Sequence, residues 1–360
     1  MKFWSNRRFD AASLLSVGLL AVGLTASVAG AFWLNQRQTE QAQAEYHRTV
    51  QRALAELTSR LKLPISGLNG VRAMYVASGE VNRSKFTEHV FSRDLPTEFP
   101  GVRGFGFIER VERDAVDAFL AQVRADDAPE FALRMLEVPA DPHYVITYIE
   151  PSVNNTGAQG LDVGSEARRR SAIEQAIDAG APAMTAPITL VQDNQKTPGV
   201  LMYVPVYHKA PRLNSASERR AALRGVIYAP IVLKELLGEL DQVTQGNLFV
   251  ELVDASAGQT TDSLLFKNDV AVGHLFQTTQ AFDMLGRQLT LQTASSRSFD
   301  ARLDPLQPAL IGLGGVFASF LLTLLMWQQA RGRERAESLA RSMTKDLQRL
   351  ALVAQETSNE

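Results

Sequence analysis

The chain has 360 residues, of which 45% are hydrophobic and 21% are charged, and its formal net charge is -2. This near-neutral balance gives no sign of a basic face, so we expect no nucleic-acid partner. The chain contains no cysteine, which excludes disulfides, thiolate nucleophiles and cysteine metal sites.

Two uncharged segments, residues 11–34 and 305–330, are each long enough to cross a hydrocarbon core of about 30 Å as a helix. Basic residues precede the first segment and follow the second: Lys2, Arg7, Arg8, Arg331, Arg333 and Arg335. The positive-inside rule then predicts cytoplasmic termini at residues 1–10 and 331–360, with residues 36–304 across the membrane. We therefore expect a multi-pass protein of the bacterial inner membrane whose middle region lies in the periplasm.

The first uncharged segment has an alternative interpretation as a cleaved signal peptide. Ala29, Gly30 and Ala31 fit the small-residue pattern of a cleavage site. The second segment would anchor the chain in either case.

Residues 36–80 show the pattern of one long helix with a single apolar stripe. Apolar residues recur at steps of three and four at Tyr46, Val50, Ala53, Leu57, Leu61, Ile65 and Leu68. Pro64 is expected to kink or divide this helix. The stripe fits packing on a partner helix and packing on the chain's own domain equally well.

Helices and strands alternate in the following residues. We expect one helix capped by Ser84, a second over 113–125, and a third capped by Ser165 and closed by Gly180. The third helix should bury Ala172, Ile173, Ala176 and Ile177. Strands are predicted within 99–111, 139–151, 185–191, 199–207 and 224–232, and a second β-rich piece within 248–293.

Catalytic motifs are absent from the sequence. The five histidines form no HExxH, there is no GxSxG, and Gly104 and Gly106 lack the third glycine of a dinucleotide fingerprint. We predict no catalytic residues, no metal site and no cofactor, although an extracytoplasmic enzyme remains an alternative.

Several short pieces in order carry a family resemblance. They are FPGVRGFGFIERV at 99–111, YIEP at 148–151, GLD at 160–162, S-E-x-R-R at 165–169, AGAPAMTAPITL at 179–190 and GVLMYVPVY at 199–207. Together they resemble the CHASE domain, the extracytoplasmic sensor of bacterial and plant histidine kinases and nucleotide cyclases.

The resemblance implies an α+β fold, flanked by the two transmembrane helices. A long N-terminal helix (36–80) would be followed by two PAS-like antiparallel-sheet subdomains, a membrane-distal one at 81–240 and a membrane-proximal one at 241–304. The closing LALVAQETSNE is similar to the start of a cytoplasmic PAS domain. We therefore expect a signalling helix at 331–360 that leads to an effector outside this chain, a histidine kinase or diguanylate cyclase.

The resemblance also places a small-molecule pocket in the distal subdomain. It would be lined by the helix at 165–178 and the strands at 185–191, 199–207 and 225–231, and the candidate ligand-binding residues are Arg169, Thr185, Tyr203, Tyr228 and Tyr148.

Arg169 falls where the cytokinin-receptor branch is expected to have an acidic residue. Arginine offers only hydrogen-bond donors and a positive charge, which favours an anionic ligand over adenine. Two alternatives remain open: Tyr203 could simply fill the core, and the arginines could form a solvated face with Glu166 paired to Arg170.

The predicted function is ligand sensing by a homodimer in the membrane. A heptad pattern supports pairing in the cytoplasm, with apolar positions at Ala336, Ala340, Met343, Leu347, Leu350 and Ala354. A plain amphipathic helix accounts for the same spacing. A dimerisation module whose pocket is filled and holds no ligand is the alternative function.

Overall fold

A computed structural model of the chain describes residues 11–138, 140–191, 198–208, 213–257, 263–303 and 306–357. It is a mixed α+β structure with a long N-terminal helix. The helices are α1 (Ala11–Ala77), α2 (Arg83–Phe91), α3 (Leu95–Glu98), α4 (Val116–Ala125), α5 (Ala167–Ala179), α6 (Ala216–Ala221), α7 (Leu233–Leu236), α8 (Leu240–Thr244), α9 (Arg297–Asp300) and α10 (Leu306–Thr357).

Two sheets, in which nearly all neighbouring strands are antiparallel, follow the first helix in sequence. The strands are β1 (Phe105–Val111), β2 (Arg134–Met135), β3 (His143–Glu150), β4 (Leu161–Asp162), β5 (Ala183–Met184), β6 (Ile188–Thr189), β7 (Pro198–Tyr207), β8 (Leu223–Val232), β9 (Leu248–Asp254), β10 (Leu264–Lys267), β11 (Val272–Met284) and β12 (Arg287–Ser296). The large sheet has the order β2-β4-β3-β1-β8-β7-β5 with β6 beside β7, and the small sheet has the order β10-β9-β12-β11. Only the β2–β4 pair of the described strands is parallel.

The chain divides into two compact units, Met1–Ala44 with Leu303–Glu360 and Glu45–Arg302. In the first unit, α1 and α10 each contain a window that is long and apolar enough to cross a membrane. Their apolar side chains are mostly exposed, as a lipid-facing surface requires. Small residues bring the two helices together, since a Cβ added at Gly315 would lie 2.9 Å from Ser27 Cβ. The two predicted spans are therefore present as helices, while Lys2, Arg7 and Arg8 lie outside the described residues.

The second unit contains both sheets, and α1 supplies one layer of it. Pro64 lies inside α1 without dividing it, so of the two expected effects the division is wrong and the kink stays a prediction. The predicted apolar stripe is buried at all its positions except Ile65, which is partly exposed. Gly67 allows the close packing, because a Cβ there would lie 2.4 Å from the Phe105 ring. The stripe thus packs on the chain's own sheet.

The large sheet lies between α1 and α5. Because side chains alternate along a strand, Phe107 of β1 stacks on Tyr75 of α1 at 4.2 Å, whereas Ile108 joins the core beneath α5. That core contains Ala172, Ile173, Ala176 and Ile177, as predicted. Gly106 lies under the ring of Tyr228, where a Cβ would approach within 2.2 Å of a ring carbon. The Gly-Phe-Gly sequence therefore belongs to sheet packing.

The caps of two helices differ from the prediction. Asn82, not Ser84, caps α2 by accepting from the Lys85 N–H at 3.1 Å. Glu166, not Ser165, caps α5 and accepts from the Arg168 and Arg169 N–H groups. A carboxylate there also favours the positive end of the helix dipole. Gly180 closes α5 at φ 66, as predicted.

The small sheet contacts both α1 and the large sheet. The Tyr46 hydroxyl on α1 donates to the Thr293 carbonyl of β12 at 3.1 Å. The turn between β11 and β12 reaches β5 of the large sheet, where Leu285 O accepts from Met184 N at 3.0 Å. The same turn reaches α5, where Gly286 O accepts from the Gln175 side chain at 2.9 Å. Residues 45–302 are thus linked as one compact unit, and the boundaries at 81–240 and 241–304 stay predictions.

Candidate functional site

Two tyrosines face each other across neighbouring strands beneath α5. The strand register pairs Tyr203 of β7 with Tyr228 of β8, and their ring centroids are 6.5 Å apart. They are 0% and 1% exposed and belong to the core under α5. The predicted hairpin strand at 199–207 is therefore a wall of this interior.

Both tyrosine hydroxyls are buried without a hydrogen-bond partner in the described part of the chain. Leaving a hydroxyl buried and unpaired costs about 1–3 kcal/mol. Burial raises the pKa of both tyrosines, so each hydroxyl stays neutral and can both donate and accept. Two such groups on paired residues mark this interior as the candidate ligand site.

Arg169 lies at the edge of the same interior, buried at the first turn of α5. Its Nη1 is 3.1 Å from Glu166 Oε2, and its Nη2 donates to the Thr189 carbonyl at 2.9 Å. Its charge acts on the Tyr203 hydroxyl, lowering that pKa in opposition to the effect of burial. The alternative of a solvated arginine face is therefore wrong for Arg169.

The predicted pairing of Glu166 with Arg170 is also wrong. Glu166 pairs with Arg169, and Arg170 instead pairs with Glu174 at 3.0 Å. Arg170 also donates to the carbonyls of Gly164 and Pro142, at 2.6 and 2.7 Å. These bonds tie the start of α5 to the loop before β3.

Thr185 holds the strand next to Tyr203. Its Oγ1 accepts from the Leu201 N–H at 3.0 Å, and its own N–H donates to the Leu201 carbonyl at 3.0 Å. The side chain is fully buried. Thr185 thus lies at the predicted wall and extends the β5–β7 pairing.

Tyr148 does not join the other four candidates. It lies on the α1 side of the sheet, where its ring stacks on Phe86 at 5.3 Å and its hydroxyl donates to Asp126 Oδ2 at 2.7 Å. The prediction that Tyr148 lines the same interior is therefore wrong. A β-bulge in β3, opposite Phe107 and Ile108, places Tyr148 on the face opposite to Tyr144 and Ile146, although the three are spaced two residues apart in sequence.

The loop before α5 is organised by a buried aspartate that the sequence did not single out. Asp162 Oδ1 accepts from the Tyr144 and Gly164 N–H groups, both at 2.9 Å, and its Oδ2 is 2.8 Å from His143 Nδ1. Ser165 does not cap α5. Its hydroxyl donates a hydrogen bond to the Asp162 carbonyl at 2.6 Å. This network fixes where α5 begins and so where Arg169 lies.

The site is suited to recognition by hydrogen bonds. It offers two hydroxyls that donate and accept, and one guanidinium that only donates. Among the described residues, no group of three or more histidines, aspartates or glutamates is arranged to hold a metal ion.

Comparison with known proteins identifies the family. The model of the CHASE domain matches residues 79–266, which is more than half of the chain. A solved structure, the periplasmic sensory domain of the Campylobacter jejuni chemoreceptor Tlp1, aligns with a TM-score of 0.41 and 10% identity, over 70% of this chain and 92% of that one. No curated protein matches the sequence. The chain belongs to the CHASE-domain family.

Proposed function

We propose that the chain is the extracytoplasmic ligand-sensing part of a transmembrane signalling receptor. The observation that carries the proposal is the pair of unpartnered hydroxyls on Tyr203 and Tyr228. A small molecule with a polar group between them would supply the missing hydrogen bonds. Such a ligand binds one conformation better than another and so shifts the balance between them.

The ligand class follows from the neighbours of the two hydroxyls. An anionic group could reach Arg169, but it would have to compete with Glu166, which already neutralises that guanidinium. A ligand that uses only the two tyrosines would leave the Arg169–Glu166 pair intact. The charge of the ligand therefore decides whether Arg169 takes part.

A route from this interior towards α1 exists in the contacts of the second unit. Gln175 on α5 and Met184 on β5 bond the turn between β11 and β12, and β12 bonds Tyr46 of α1 through Thr293. We propose that ligand binding shifts this connection in a homodimer and that α1 and α10 pass the change across the membrane to a histidine kinase or diguanylate cyclase.

The exposed apolar side chains of Met343 and Leu347 on α10 support the dimer. At Leu350 and Ala354 the structure describes the helix backbone of α10 but not the side chains.

A thermal-shift screen of the full chain in detergent tests the proposal. The ligands are adenines, carboxylates and phosphates, each applied to the wild type and to Arg169→Gln. At about 100 times its Kd a ligand adds about 2.7 kcal/mol of stability. At about 2–4 °C per kcal/mol, Tm should rise by about 5–11 °C.

The variant then separates the ligand classes. If an anion raises the Tm of the wild type but not that of Arg169→Gln, Arg169 contacts the ligand. If adenines raise the Tm of both proteins equally, the ligand uses the tyrosines and not Arg169. If no ligand class changes Tm, the result contradicts ligand sensing and favours a dimerisation module. Hydrolysis of ester or peptide substrates would instead support the enzyme alternative.

A further inference from the structure

A second cleft lies on the other face of the large sheet, at the end of α1. It has a volume of about 440 Å³, within the range of about 300–1,000 Å³ that is usual for small-molecule sites. Its walls come from the end of α1, the turn before α2, strands β1, β3 and β8, and the end of α4. This face is separate from the interior beneath α5, because Phe107 lines the cleft while Ile108 lies in the α5 core.

The charged side chains of this cleft are mostly acidic. Glu80, Glu109 and Asp126 line it, together with Arg224 and His208. Within the described ranges none of the three carboxylates forms an ion pair. The cleft therefore has a local excess of negative charge.

Neighbouring guanidinium groups are directed at backbone carbonyls. Arg224 donates to the carbonyls of Tyr75 and Gly79, at 2.6 and 2.9 Å. Arg83 lies over the ring of Tyr148 and donates its Nε–H to the Asp126 carbonyl at 3.1 Å. Both cations support the walls, and neither forms an ion pair with a carboxylate of the cleft among the described residues.

Asp126 keeps one oxygen open towards the cleft. Its Oδ2 accepts from the Tyr148 hydroxyl at 2.7 Å and from the Arg83 N–H at 3.0 Å. Its Oδ1 accepts no hydrogen bond from the part of the chain that the structure describes. The second carboxyl group of the cleft belongs to Glu109. Burial raises its pKa, and a hydrogen bond with the Thr147 side chain opposes that rise. A cation beside Glu109 would offset that cost.

The hydroxyl of Tyr75 is the independent sign of a ligand. Tyr75 is 2% exposed, lines the cleft, and its hydroxyl has no partner among the described residues. The faces of its ring are already used, since Phe107 stacks on it and Arg224 lies 5.0 Å from its centroid. The hydroxyl is thus the part of Tyr75 that remains for a ligand.

We propose that this cleft binds a small organic amine as its ammonium ion, held by the carboxylates of Glu109 and Asp126 and by the oxygen of Tyr75. An ammonium group offers three donors, which matches three acceptors. The apolar body of the amine would lie against Val81, Val123 and the edge of Phe107. The same protein then has two ligand sites, one on each face of its large sheet.

Calorimetric titration of the full chain in detergent tests this at neutral pH. The probes are phenethylamine and putrescine, with phenethyl alcohol and phenylacetate as matched compounds that carry a neutral or an anionic head. We expect binding of at least one amine and none of the alcohol or the acid. Glu109→Gln, which keeps the shape of the side chain, should weaken amine binding about tenfold or more.

Two further variants keep the test decisive if a substitution affects folding. Tyr75→Phe should also weaken amine binding, yet should leave the Tm of the free protein unchanged or higher, because the lost hydroxyl has no partner in the described part of the chain. Glu112→Gln is the matched control, a partly exposed carboxylate just after β1 that pairs with Arg110 outside the cleft. It should bind the amine like the wild type.

Three results would overturn the proposal. They are the failure of both amines to bind, equal amine binding in the wild type and Glu109→Gln, and binding of phenylacetate in preference to phenethylamine. A loss of amine binding in Glu112→Gln as large as in Glu109→Gln would also overturn it, because the effect would then be one of general surface charge.

Discussion

Removing one hydroxyl at a time from β7 should change stability in opposite directions at two tyrosines. Tyr203 and Tyr207 lie on the same strand. The Tyr207 hydroxyl donates to the Ile177 carbonyl at 2.7 Å, whereas the Tyr203 hydroxyl has no partner among the residues that the structure describes. The substitutions Tyr203→Phe and Tyr207→Phe therefore make the same chemical change in different environments.

The magnitudes follow from the hydrogen bonds. Tyr207→Phe loses a satisfied bond worth about 1 kcal/mol. At about 2–4 °C per kcal/mol for a domain of this size, its Tm should fall by about 2–4 °C. Tyr203→Phe removes the cost of an unpaired buried hydroxyl, about 1–3 kcal/mol, so the Tm of the ligand-free protein should rise by several degrees.

The assay is thermal unfolding of the full chain in detergent, first without ligand and then with the best binder from the screen. Tyr203→Phe should lose much of the ligand-induced shift, and Tyr207→Phe should keep it. A fall in Tm for Tyr203→Phe equal to that of Tyr207→Phe would refute the reasoning, because the Tyr203 hydroxyl would then have a partner within the folded protein.

Three other predictions concern the supports of the fold. Asp162→Ala should lower Tm by about 6–20 °C, because it removes three buried hydrogen bonds worth about 3–5 kcal/mol together, while Asp162→Asn should lower it less. Burial raises the folded-state pKa of Glu109 above 4.5, so the stability that this group contributes is present below that pH and is lost as pH rises through the raised pKa. The Tm of Glu109→Gln minus the Tm of the wild type should therefore increase as pH rises. Ala31→Cys with Gly312→Cys should form a disulfide on oxidation. A Cβ at Gly312 would lie 3.1 Å from Ala31 Cβ, and a shift of a few tenths of an ångström brings the two Cβ atoms to the usual disulfide separation of about 3.5–4.5 Å.

Each of these predictions has an outcome against it. Equal Tm values for Asp162→Ala and Asp162→Asn would mean that the acceptor oxygens are unimportant. Parallel pH profiles for Glu109→Gln and the wild type would mean that Glu109 keeps an ordinary pKa. Val28→Cys with Leu313→Cys is the control for cross-linking, because both side chains are exposed on their helices, and equal cross-linking of the two pairs would contradict the helix contact.

Local patterns predicted the elements of the fold well. The spacing of Tyr46, Leu57 and Leu61 predicted a long helix with one buried stripe, because the periodicity of a helix depends only on residues that are close in sequence. The helix cap was one residue off. Serine is a preferred cap residue, but the Ser165 hydroxyl donates to the Asp162 carbonyl and accepts from the Leu136 N–H, so Glu166 caps the helix.

Long-range placement limited the prediction of the candidate site. Arg169, Thr185, Tyr203 and Tyr228 lie at the predicted wall because they follow regular strand and helix positions. Tyr148 was misplaced by a β-bulge, which adds a residue without a sequence signal that is specific to it.

The cleft at the end of α1 was not predicted as a site, although Tyr148, one of the candidate ligand-binding residues, lines it. It joins Tyr75 to Arg224, which are 149 positions apart in the chain. No spacing rule connects residues that far apart, and only the packing of α1 on the sheet brings them together.

Titration of the screened ligand against the Tyr203→Phe, Tyr228→Phe double variant tests the central claim most directly. Calorimetry on the full chain should show that affinity falls about tenfold or more when both hydroxyls are removed, while Tyr207→Phe binds like the wild type. Undiminished binding by the double variant, with a correctly folded protein, would contradict a ligand site beneath α5.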